Sequence, residues 1–304
     1  MRKVSAVVAA AFIGWTAPLL AQEATPNHVF QVTDKILQEL QQLNAENFSK
    51  AAPVETMQYS TAPRHVLFQI RDQWRKVQLL RFMNGLNSNS LAPATVHQVT
   101  PQEVKDNMAQ MLMEVQALRS AYGLPASDIT APLPSGKKPA DVYAKLMQIS
   151  AELDALGVPA TVPNDVYRVA ASISQNLETL AAAKGVTIED VAHPHSTGRT
   201  PNDAYVAALD LIAAMQSLVE QDQSYEVKGG ISVPSSKEGA KTPAEVIRVL
   251  SRTLADTMAM MHSARVGKTV IIAPYQGGKT PSDVYNSITY ARLLVEAMAS
   301  RSKV

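Results

Sequence analysis

The chain has 304 residues, no Cys, and 28 basic against 27 acidic residues. So even a charge balance lacks the electrostatic footprint of nucleic-acid binding, and zero Cys excludes disulfides, thiol catalysis and Cys-based metal sites. Aromatics make up only 5% while Ala, Leu, Val, Gln and Met abound, a composition that suits helices.

The N-terminus comes first. Arg2 and Lys3 form a short positive region, and residues 4–20 are uncharged and mostly apolar. Gly14, Thr16 and Pro18 interrupt the second half of that run, and Ala21 offers a small residue before Gln22. This pattern predicts a secretory signal peptide over residues 1–21, with a retained anchor as the alternative. No Cys follows the run, so no lipid is attached there. Losing Arg2 and Lys3 leaves the mature chain one charge negative. No later stretch approaches the roughly 20 apolar residues of a membrane span, so the mature protein is expected to be soluble. The periplasm is its expected destination, release outside the cell the alternative.

Eight copies of one phrase then follow in chain order. The first two, Thr25-Pro26-Asn27-His28-Val29-Phe30 and Ala62-Pro63-Arg64-His65-Val66-Leu67, are the weakest. Thr100-Pro101-Gln102-Glu103-Val104-Lys105 comes next, then Lys138-Pro139-Ala140-Asp141-Val142-Tyr143. The second half holds Val162-Pro163-Asn164-Asp165-Val166-Tyr167 and Thr200-Pro201-Asn202-Asp203-Ala204-Tyr205. Thr242-Pro243-Ala244-Glu245-Val246-Ile247 and Thr280-Pro281-Ser282-Asp283-Val284-Tyr285 complete the set. Each reads as a helix start. Thr at the cap accepts an orphan backbone N–H, and Pro at the first helical position has no N–H to orphan. An acid at the third position reaches back to the cap and sits on the positive end of the helix dipole.

Apolar or small residues then recur at steps of four, three, four and three. Val104, Met108, Met111, Val115 and Leu118 do so, as do Val142, Leu146, Ile149, Leu153 and Leu156. Three more such sets run from Val166 to Leu180, from Ala204 to Leu218 and from Val284 to Met298. These are single-face stripes of helices about 20 residues long.

The prolines are spaced 37, 38, 38, 24, 38, 42 and 38 residues apart. The short middle step divides them into two sets of four. The third helix of each set has Glu in place of Asp (Glu103, Glu245) and lacks the aromatic. The fourth follows a similar loop, Ile129 to Lys137 in one set and Ile271 to Lys279 in the other. The expected fold is therefore all-α, a tandem duplication of a four-helix unit: eight helices joined by long patterned loops. The units span residues 22–157 and 158–304, and are expected to pack through related faces. The loops run to about 16 residues, against the 2–8 usual in bundles. Extended, such a loop reaches about 50 Å, more than the ~30 Å of a 20-residue helix. Successive helices can thus be parallel, or antiparallel with loops folded over the ends. The short Gly157–Val162 connection predicts antiparallel neighbours.

Four constellations offer chemistry. Tyr143, Tyr167, Tyr205 and Tyr285, with Lys137, Arg199 and Lys279 from the loops, are candidate ligand-binding residues, although repetition at helix starts favours a packing role. His193 and His195 form a His-X-His pair, and Met258, Met261 and His262 share a helix face. These are the weak metal candidates, set against an exposed loop and a Met-filled core. In the second helix Arg64, Arg71, Arg75, Lys76 and Arg81 lie among Phe68, Trp74 and Phe82, offset only by Asp72. Such a face suits an anionic ligand or lipid headgroups; its plain reading is a solvated basic face.

No Gly-rich phosphate loop, Gly-X-Ser-X-Gly elbow or His-Glu-X-X-His motif is present. The expected function is an exported, non-catalytic helical binding or scaffold protein, partnered by another protein or a small ligand and needing no cofactor. A periplasmic small-ligand or copper or zinc carrier is the alternative, and an enzyme with a site assembled from distant residues a remote one. A deep pocket between helices would point to a ligand carrier, a flat exposed patch to a macromolecular partner.

Overall fold

The computed structural model describes residues 23–54, 60–235 and 238–302, so the expected signal peptide lies outside the described residues. Among the described residues eight α-helices carry the fold: α1 (Pro26–Glu46), α2 (Pro63–Met83), α3 (Pro101–Gln116), α4 (Pro139–Ala155), α5 (Pro163–Ala183), α6 (Pro201–Gln221), α7 (Pro243–Ser263) and α8 (Pro281–Arg301). Among the described residues the sole β pairing is an isolated bridge, Thr95 to Thr269. No described helix is long and apolar enough to cross a membrane.

Every helix opens on the proline of its phrase, and the caps work as the phrase implies. Asp141, Asp165, Asp203, Glu245 and Asp283 each accept the backbone N–H of their cap residue at 2.7–3.1 Å. Hydrogen bonds from Thr200 and Thr280 hold Asp203 and Asp283 below the usual carboxylate range. At α1 and α2 a histidine takes this role. His28 Nδ1 accepts from Thr25 N–H at 3.1 Å, and His65 Nδ1 from Ala62 N–H at 3.0 Å. Behind the caps, the stripe residues of α3, α4, α5, α6 and α8 are all buried.

The helices within each set run parallel. Pro163, Pro201, Pro243 and Pro281, with the residue three further on in each helix, line one small gap where the first turns of α5–α8 meet. In the first set contacts between helices rise together along both partners. Asp34 meets Lys145 and Asn44 meets Glu152 between α1 and α4. Gln69 meets Tyr143 and Lys76 meets Asp154 between α2 and α4. The long loops therefore return the chain to the same end of its bundle each time. The first and second helices of each set lie diagonally, as do the third and fourth: α1 and α2 both pack on α3 and α4, and α5 and α6 both pack on α7 and α8.

A belt of contacts ties the helix starts together. Asn164 Oδ1 accepts from Lys279 N–H, Ser282 Oγ from Arg199 N–H, and Asn202 Oδ1 from Lys241 N–H. The same three cations cover the tyrosines of the helices they reach: Lys279 over Tyr167, Arg199 over Tyr285 and Lys241 over Tyr205, at 4.2, 4.3 and 5.0 Å. In the first set Asn27 accepts from Lys137 N–H, and Lys137 lies over Phe30.

The two bundles meet through α2 and α7. Arg64 at the start of α2 reaches Asp256 late in α7, whereas the cleft beside Arg71 and Arg75 is lined by Ile247 near the start of α7. These two helices are antiparallel. α2 is second in its set and α7 third, so the bundles do not pack through related faces as expected. Each of the two buries 14 residues, because each faces its own bundle and the other. α4 and α5 run in opposite senses, as the short connection predicts, yet they pack chiefly on other helices.

Candidate functional site

The basic face of α2 is not solvated. Lys76 pairs with Asp154 at 2.6 Å and Arg81 with Glu114 at 2.8 Å, both within the first bundle. Arg64 donates to Asp256 at 2.7 Å and to the carbonyls of Lys228 and Gly230. Three of the five cations thus hold helices and loops together. The expectation of a free basic surface fails because α2 has no outer face of the usual width.

The other two, Arg71 and Arg75, border a cleft of about 680 Å³ between the bundles. α2 supplies one wall with Phe68, Asp72, Trp74 and Leu79. The first turns of α5 supply Asp165, Arg168 and Ser172, and α7 supplies Ile247, Ser251 and Leu254. The loops add Leu91, Val270 and Ile272. Trp74 is fixed by its indole N–H, which donates to Asn89 C=O at 3.0 Å. Arg71 donates to Ala92 C=O at 2.6 Å. Arg75 Nη1 lies 3.6 Å from Asp165 Oδ1. Burial raises the Asp72 carboxyl above its ordinary range, opposed by Arg75 and Lys76. Ser172 Oγ donates to Arg168 C=O and accepts from Ala273 N–H, so that hydroxyl is committed to holding a loop.

None of the six tyrosine and lysine candidates borders this cleft. Tyr143 is buried with its hydroxyl donating to Gln69 Oε1 at 3.2 Å, and Tyr205 is buried under Lys241. Tyr167 and Tyr285 lie half-buried under Lys279 and Arg199, and Lys137 covers Phe30. The metal candidates are not brought together. His193 stacks on Tyr290 at 4.2 Å, and His195 and His262 are exposed. Met258 and Met261 are buried in the core. Among the described residues no three His, Cys, Asp or Glu side chains converge as metal ligands would. Arg168 and Ser172 carried no sequence signal as site residues; only tertiary packing brings the start of α5 to α2.

A second polar cluster sits where α2 meets α7. His65 Nε2 donates to Asp256 Oδ1 at 2.8 Å while its Nδ1 accepts the cap N–H, an arrangement that needs the neutral ring. Burial accordingly lowers its pKa to about 4, against the pull of Asp256 and with help from Arg252 and Arg64. The unfolded imidazole titrates near 6.5, so as pH falls below that value the unfolded chain takes up the proton first. The contribution of His65 to stability is therefore full above pH 6.5 and is lost as pH falls towards 4, roughly 3 kcal/mol in all. Asp256, held low by His65 and Arg64 against its burial, loses its contribution only below this window. Urea unfolding at pH 7.0, 5.5 and 4.5 measures the decline. His65→Gln keeps a cap acceptor and should remove most of the slope; an unchanged slope would assign it to other groups.

The described residues form two parallel four-helix bundles with a cleft of about 680 Å³ at their junction. No protein-family model matches the chain, and neither curated proteins nor solved structures give a match.

Proposed function

We propose that this chain is an exported, non-catalytic binding protein, built by duplication of a four-helix unit, that holds a small ligand between its bundles. The cleft carries the reading. Its volume of about 680 Å³ falls in the roughly 300–1,000 Å³ range of small-molecule sites, and its mostly apolar wall with a few polar groups has their composition. A half-open cleft of this volume between helices favours a ligand carrier over a scaffold that offers a flat patch. Among the described residues the wall holds neither imidazole nor thioether, which speaks for an organic ligand and against copper or zinc. Duplication is supported by equivalent contacts at equivalent residues: Asn27 with Lys137 and Phe30 in one bundle, Asn164 with Lys279 and Tyr167 in the other. Export, with the periplasm as destination, rests on residues 1–21.

Native mass spectrometry with metal analysis, on protein purified from the exported fraction of its host, tests the reading. A stoichiometric organic adduct is expected. A clean mass would return the scaffold reading to the front, and a retained metal would favour the metal carrier.

A further inference from the structure

Arg75 is the anomaly of the cleft. Its Nη1 lies 3.6 Å from Asp165, beyond a good hydrogen bond. Its Nε and Nη2 are buried and find no partner among the described residues. Buried guanidinium N–H groups are ordinarily paired, and orphans call for an explanation such as a missing ligand. Asp165 caps α5 through Oδ2, which accepts Val162 N–H, and offers Arg75 only its Oδ1 at that longer distance. Arg71 and Arg168 border the same space, and Asp72 is the remaining carboxyl. With the positive end of α5 beside them, the polar part of the wall favours an anion. The apolar part, including Phe68, Trp74, Leu79, Ile247 and Leu254, favours a hydrocarbon or aromatic body.

We infer that the cleft takes an amphipathic organic anion, its single carboxylate or phosphate headgroup paired with Arg75 and its apolar body packed beside Trp74. This deepens the ligand-binding reading and rests on it. A planar guanidinium suits either headgroup through paired N–H bonds.

Trp74 is the only Trp in residues 22–304, so its emission reports on the cleft. The protein from the exported fraction would be titrated with octanoate, octyl phosphate, octanol and octylamine, by calorimetry and by Trp74 emission. One or both anions should bind at 1:1 and shift the emission, with octanol and octylamine at least tenfold weaker. Arg75→Gln should cost about ten- to hundredfold in anion affinity and leave octanol unchanged. The tighter of the two anions identifies the headgroup. Should Arg75→Gln not fold, Arg168→Gln supplies the same comparison with a smaller expected loss. Equal binding of octanol and the anions, or an Arg75→Gln variant with full anion affinity, would overturn the anion assignment and leave the cleft as a ligand site. Failure of all four probes to move Trp74 emission would overturn both.

Discussion

Replacing Asp256 with Ala is expected to lower stability by about 3–5 kcal/mol at pH 7, by loosening the junction of the two bundles. Asp256 Oδ1 receives Arg64 Nε at 2.7 Å and His65 Nε2 at 2.8 Å, and all three side chains are buried. The substitution leaves a buried guanidinium without its counter-charge and an imidazole N–H without an acceptor. The effect goes beyond α2 and α7, because Arg64 also holds the carbonyls of Lys228 and Gly230. Asp256→Asn keeps an acceptor and loses only the charge, so its cost should be smaller. Arg64→Met with His65→Leu and Asp256→Leu removes the buried charges together and should recover part of the loss, less the cost of leaving Ala62 N–H and the carbonyls of Lys228 and Gly230 without these partners. Urea unfolding of the variants decides the matter; an Asp256→Ala protein within 1 kcal/mol of the parent would show that the network contributes little.

Glu39→Ala should cost a similar amount, through the opposite end of the first bundle. Glu39 has no solvent exposure, and its carboxylate accepts from Arg119 at 2.6 Å, from Gln116 at 3.0 Å and from Ser127. Arg119 is itself buried and also donates to Pro125 C=O and Gln42. One carboxylate thus joins the end of α3 and the following loop to α1. Removing it strands a buried cation, at about 3–5 kcal/mol, whereas Glu39→Gln retains part of the hydrogen bonding and should cost less. Hydrogen exchange would separate this effect from that of Asp256: Glu39→Ala should deprotect residues 116–127 first, Asp256→Ala the contacts of α2 with α7. Exchange rising equally over the whole chain in both variants would argue against two local networks.

Glu39 and Asp256 hold the same place in their helices, the fourteenth residue counted from the opening proline. Lys76, Glu114, Glu152 and Asn176 hold it in four others. Each meets a different partner: Asp154, Arg81, Asn44 and the backbone of Ile271 respectively. The recurrence of a polar residue beside the apolar stripe is visible in the sequence, but the choice of partner is not. It follows from which helix or loop the bundle places opposite that position.

The chain alone determined the eight helix starts, their buried stripes and loops long enough to span a helix. Capping and amphipathic periodicity act within a few residues, so a single sequence carries them in full. The parallel sense of each bundle, the junction through α2 and α7, and the cleft were decided by tertiary structure. Four parallel helices gather their positive ends at one place, and the carboxylates of Asp165, Asp203, Glu245 and Asp283 stand there to offset them. The antiparallel docking of α2 on α7 sets the dipoles of the two bundles in opposition. Arg64, at the head of the Arg-rich run of α2, was the sequence trace of that junction. Its partner Asp256 lies some 190 residues away, and no local pattern specifies a contact across that distance.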